Sequence, residues 1–182
     1  MLFNKKLAVL AVLAGSMVAG SALAADGKKG AEVTFKAQLR AQSCDVTSNT
    51  RGSEINWGVF TKDQLTGVNV DQDLGTPKSF DLVLTNCSAD AGDTAMNIFA
   101  QGQEATGFPD YFANKESKAL AVKIESGTVA VTPNKDAEVQ LATAVAKDGG
   151  ATIPMLATLK LTQTGIETDT LSVPVTFTVS YN

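Results

Sequence analysis

The sequence predicts an all-β sandwich of the immunoglobulin-like kind, and three observations carry that prediction. Apolar and polar residues alternate strictly in several short runs, most cleanly in the closing Ser172–Asn182, "SVPVTFTVSYN". Turn residues interrupt the chain at short intervals, and no stretch keeps the 3.6-residue period of a long helix. Two cysteines, Cys44 and Cys87, stand in the part of the chain expected to be exported.

Residues 1–24 read as a secretory signal peptide. Lys5 and Lys6 supply the positive region, Leu7 to Ala14 the apolar run, and Ala22-Leu23-Ala24 the small-x-small cleavage site. Cleavage after Ala24 leaves 158 of the 182 residues, the size of one domain with a core of its own. No later stretch approaches the roughly 18 apolar residues of a membrane helix. Without Lys5 and Lys6, 13 basic residues face 19 acidic ones, a net charge of −6. There is no basic patch, so neither nucleic acid nor an anionic membrane surface is an expected partner.

Along the exported chain, "ADGKKG" (25–30) is a polar lead. "EVTFKAQLRA" then alternates, with Val33, Phe35, Ala37, Leu39 and Ala41 on one face and Glu32, Thr34, Lys36, Gln38 and Arg40 on the other. "SEINWGVF" reads as a short strand around Ile55 and a core-facing Trp57. Thr66 to Lys78, with Gly67, Gly75 and Pro77, reads as a loop. "SFDLVLTNC" is a strand with Phe80, Leu82 and Leu84 inward, and "TAMNIFAQG" is another, ended by Gly102. Glu104 to Lys118 reads as a loop with one helical turn near Tyr111–Asn114. "ALAVKIES" and "GTVAV" form a hairpin around Ser126-Gly127, "AEVQLATAV" alternates, and "IPMLATLKLTQ" alternates through Met155, Ala157, Leu159 and Leu161.

The closing strand places Val173, Val175, Phe177, Val179 and Tyr181 on one face. Pro174 has no backbone N–H, which suits a strand with one open edge, and an open edge is a pairing site that proteins normally cover. Cys44 and Cys87 are expected to form one disulfide in an oxidising compartment. In the chain-entropy model that link contributes about 3–4 kcal/mol. A metal site is the competing reading, but two thiols without histidine do not complete a zinc shell.

Taken together, these stretches resemble the chaperone–usher fimbrial subunits, the pilins of type-1-like and P-like pili. "VTFKAQLRAQSC" is similar to the pilin opening, an alternating strand leading to the first cysteine. "INWGVF" followed by "SFDLVLTNC" resembles the segment before the second cysteine. "IPMLATLKL" and "VTFTVSYN" resemble the two closing strands, with tyrosine next to last. The resemblance covers essentially the whole chain after the signal peptide.

It implies an incomplete Ig-like β-sandwich lacking its final strand, completed by a donor strand from a partner. Residues 25–41 would be the N-terminal extension running into the first strand, and residues 42–182 the pilin domain. Val33, Phe35, Ala37 and Leu39 would be the donor residues. Val173, Val175, Phe177, Val179 and Tyr181 would wall the acceptor groove and contact the chaperone. The implied partners are other copies of the chain in a head-to-tail polymer, a periplasmic chaperone, an outer-membrane usher, and a tip adhesin or minor pilins. The implied destination is the cell surface by way of the periplasm, with no cofactor. Two departures stand out: Ala37 replaces the usual glycine of the donor strand, and Asp169 stands where many pilins have glycine fourteen residues from the end.

For Val33 to Leu39 the alternative is an ordinary first strand paired inside its own domain. For Tyr181 it is core packing with the hydroxyl at the rim. Asp71 and Asp73 suggest a calcium loop whose later ligands are missing, so they read as a solvated loop. Asn86-Cys87-Ser88 matches a glycosylation acceptor by chance. The chain contains 0 histidines, which removes Ser-His-Asp and Cys-His catalysis. The carboxylate pairs Asp90/Asp93 and Glu167/Asp169 fall in loops with nothing evident to shift a pKa. A structural shaft subunit is the expectation. A minor or adaptor pilin, or a single-domain subunit that itself binds a host receptor, is the alternative.

Overall fold

The computed structural model describes residues 42–49, 54–91 and 94–181. The expected signal peptide and the expected donor residues Val33, Phe35, Ala37 and Leu39 lie outside the described residues. The described part is β throughout apart from one helical turn, α1 (Lys62–Leu65).

Two sheets face each other. One has the order β1 (Gln42–Ser43), β11 (Thr176–Tyr181), β4 (Ala95–Gln101), β9 (Asp136–Gln140). The other runs β2 (Asp45–Ser48), β3 (Asp73–Thr85), β10 (Ala151–Leu161), β7 (Leu120–Ser126), β6 (Phe108–Phe112), β5 (Glu104–Ala105), with β8 (Val129–Val131) also on β7. The described pairings are antiparallel. The alternation read from the sequence is what fills the space between the sheets. Leu82 and Leu84 of β3 with Ile153 and Met155 of β10 meet Met96 and Ile98 of β4 with Val179 and Tyr181 of β11. Each such side chain removed from water contributes about 1.5–3 kcal/mol.

Several element bounds differ from the sequence expectation, each for a local reason. Among the described residues, 54–60 of the expected strand join no ladder: Gly58 has φ 82 and its N–H donates to Asn56 Oδ1 at 2.7 Å, an Asx turn that breaks the strand. Asp73–Lys78 is strand rather than loop. Pairing between β3 and β10 shifts register from Lys78↔Ala157 to Leu74↔Leu159, so Gly75, Thr76 and Pro77 form a bulge. Phe108–Phe112 is a strand, hairpinned to β5 through Gly107 at φ 79, where a helical turn near Tyr111 was expected. The closing strand is in the ladder only from Thr176, so Pro174 lies ahead of it and removes no sheet bond. Pro154 lies inside β10. It pairs with Asp81 of β3 at a level where β10 has no ladder to β7, which begins at Leu156.

Candidate functional site

β1 and β2 are one run of chain divided between the two sheets. Gln42 and Ser43 pair with Tyr181 and Ser180, whereas Asp45–Ser48 pairs with Thr85–Leu82 of the opposite sheet. Cys44 is the pivot, and the Cys44–Cys87 disulfide fixes it. Beyond the pivot, Thr176–Val179 of β11 keeps β4 on one side and, among the described residues, has no strand on the other.

Beside that open edge lies a groove of about 1220 Å³, larger than the roughly 300–1,000 Å³ of small-molecule pockets. Its floor is the interior of the sandwich: Phe80 and Leu82 of β3, Val122 and Ile124 of β7, Ala157 and Leu159 of β10. One wall is Leu171, Val173, Val175 and Phe177; the other carries Ile55, Trp57 and Phe60. Both walls are half-buried against the core. Phe177 also packs on Phe80, ring centroids 6.0 Å apart.

The bulge in β3 positions the Trp57 wall. Trp57 Nε1 donates to the Thr76 carbonyl at 3.2 Å. Gly75, at φ 68, leaves room above its backbone, where a Cβ would stand 3.1 Å from Phe60 Cζ. The adjoining turn is closed by the Thr61 N–H donating to Gln64 Oε1 at 2.8 Å, the return half of a capping box.

The opposite wall is the crossover 162–175, which joins no sheet among the described residues. Asp169 ties it down. Its carboxylate accepts hydrogen bonds from the backbone N–H groups of Ala119 (2.8 Å), Leu120 (3.0 Å) and Lys118 (3.1 Å) and from the Ser117 hydroxyl (2.9 Å). Burial opposes ionisation, but these hydrogen bonds outweigh it and hold the Asp169 carboxyl below the usual range. This corrects the reading of Asp169 as an unperturbed loop carboxylate. Asn114 Oδ1 accepts the Ser172 N–H at 2.8 Å, and an exposed Lys62–Glu167 ion pair (3.0 Å) links the crossover to α1.

Of the five predicted wall residues, Val173, Val175 and Phe177 line the groove. Val179 and Tyr181, each 1% exposed, lie in the core past its end. The Tyr181 hydroxyl donates to the Ala89 carbonyl at 2.7 Å and accepts the Ala89 N–H at 3.1 Å. Asp71 and Asp73 face an ammonium: Lys160 Nζ is 2.7 Å from Asp73 and 3.6 Å from Asp71. The two carboxylates overcome burial and raise the Lys160 pKa. The Trp57 wall, the bulge and Asp169 were not found by sequence reasoning. The only local signals were Gly75-Thr76-Pro77 and a lone aspartate in a Thr-rich stretch.

No protein-family profile matches the chain. A curated relative, a type-1 fimbrial protein subunit of Serratia marcescens, is 31% identical over 107 residues, 59% of this chain and 53% of the relative. The matched part thus spans about half the length of that relative. Two solved structures share the fold. The P pilus rod subunit PapA aligns with a TM-score of 0.57 at 19% identity, covering 77% of this chain and 99% of PapA. A chaperone–usher pilus, in a structure addressing rod uncoiling, aligns at 0.52 and 16% identity, covering 87% of this chain and 99% of that one. The fold is that of these pilus subunits. The sequence relative and the two folds accord with the resemblance to chaperone–usher fimbrial subunits.

Proposed function

We propose that the chain is a structural subunit of a chaperone–usher fimbria that polymerises by donor-strand exchange into the pilus shaft and supports adhesion indirectly. The observation that carries this reading is the apolar groove beside the edge of Thr176–Val179, which has no strand partner among the described residues. A long groove flanked by a strand edge with no partner among the described residues suits an extended strand, which gains main-chain hydrogen bonds along its length and specificity from alternate side chains.

The segment of this chain with matching chemistry is Val33, Phe35, Ala37 and Leu39. Val33, Phe35 and Leu39 contribute about 2 kcal/mol each and the Ala37 methyl about 0.8 kcal/mol, about 7 kcal/mol before ordering costs. Donation from one copy to the next is a heterologous contact that does not close, so it propagates a filament. Before assembly, a periplasmic chaperone would cover the same groove and an outer-membrane usher would receive the complex. Minor pilins and a tip adhesin would cap a fibre on the cell surface.

Deletion of residues 25–39 tests the reading. The truncated subunit is expected to be captured by its chaperone but not to donate to the next copy; fibres built from it alone would refute the donor assignment. Appending the sequence 31–41 after Asn182 is expected to give a soluble, sharply melting monomer. A chain that is equally stable without that addition, and without a chaperone, would refute the incomplete-sandwich reading.

A further inference from the structure

The crossover 162–175 forms one wall of the groove yet, among the described residues, has no sheet hydrogen bonds to hold it. Its apolar residues do not pack on a single surface either. Leu171 packs against all three apolar clusters: the main core, the group around Leu74 and Leu159, and the alanine group Ala105, Ala113 and Ala121. Two residues earlier, Asp169 converges four donors of the Ser117–Leu120 corner on one carboxylate. The other ties are single contacts: the Thr162 N–H on the Ala119 carbonyl at 2.7 Å, the Ser172 N–H on Asn114, and the exposed Lys62–Glu167 pair.

We propose that Asp169 is the latch of the groove: by clamping the crossover to the start of β7 it sets the position of Leu171 and Val173, and so how long an inserted strand is retained. The inference rests on the groove being a strand-accepting site. It adds that retention is controlled through the back of the groove wall, by a carboxylate bound to the Ser117–Leu120 corner. Asp169 is therefore a positioning residue. An asparagine in its place keeps the shape but turns one acceptor oxygen into an N–H donor aimed at other N–H donors, so the clamp is opposed as well as weakened. Loss of a charge-assisted hydrogen bond of this kind corresponds to about tenfold in an equilibrium constant.

The test measures release of a labelled synthetic peptide of residues 31–41 from the full chain, together with amide exchange at Lys118, Ala119 and Leu120. Asp169→Asn is expected to release the peptide about tenfold faster, with the three amides exchanging faster and peptide association unchanged. Release within twofold of the unmodified chain, with the amides nonetheless deprotected, overturns the latch and leaves the groove reading intact. Failure of the unmodified chain to bind the peptide overturns the groove reading and the latch with it. Should Asp169→Asn not fold, Ser117→Ala removes one donor to the same carboxylate. It is expected to speed release about threefold, and an unchanged rate overturns the proposal.

Discussion

Replacing Tyr181 by phenylalanine removes one oxygen from a ring that is 1% exposed. The ring itself, packed in the main core, should stay where it is. What is lost is the pair of hydrogen bonds joining the end of β11 to Ala89, at 2.7 and 3.1 Å. Ala89 is half-buried, so water only partly replaces the hydroxyl. At about 1 kcal/mol per hydrogen bond the substitution costs about 2 kcal/mol. For a domain of this size that lowers Tm by about 4–8 °C. The assay is thermal unfolding, followed by circular dichroism, of the chain with its sequence 31–41 appended after Asn182. Tyr181→Ala, which also empties the ring site, is expected to cost about 3–5 kcal/mol. A fall below about 2 °C for Tyr181→Phe, or lost chaperone capture with an unmoved melt, would refute the structural assignment. Tyr181 would then be a recognition residue first.

Gly102→Ala places a Cβ 2.6 Å from Phe112 Cδ1 and 3.5 Å from Val175 Cγ2. Phe112 is fully buried, so the clash falls on it while Val175 stays in ordinary contact, and the change is expected to cost about 1–3 kcal/mol, as read by melting. Replacing both Cys44 and Cys87 by serine opens a link spanning 43 residues and is expected to cost about 3–4 kcal/mol, measured by denaturant unfolding. Tyr111 donates to Asp71 at 2.6 Å, and burial followed by that carboxylate pushes its pKa up to about 12. The folded state thus holds the phenolic proton more tightly than the unfolded chain. Its contribution is complete below pH 10 and is lost as pH rises toward 12. Absorbance titration should show a late phenolate step that Tyr111→Phe abolishes.

How much of this was legible in the sequence depended on whether the deciding interaction was local. Ala95–Gln101, Leu120–Ser126 and Ala151–Leu161 each bury one face, and their alternation announces it. The Gly75-Thr76-Pro77 signal was real but ambiguous. The same residues make a loop or a bulge, and only the register of β10 across from them decides. Phe108–Phe112 was hidden by Pro109 and Asp110, which are exposed and spoil the alternation. In the site, the apolar face of the last strand was evident. Its division was not: Val173, Val175 and Phe177 face the groove while Val179 and Tyr181 enter the core, because β1 covers only the far end of β11. Asp169 gave no sign of its partners, which lie 49 to 52 positions away.

The pivot at Cys44 also sets a path for mechanical load. Tension applied to the chain ahead of Gln42 reaches Cys44 within two residues and passes through the sulfur bridge directly to Cys87. The stretch between them, with β2, α1, the bulge and the Trp57 wall, is bypassed by a covalent shunt. It bears none of the pull while the bridge is intact, so one rim of the groove keeps its shape under strain.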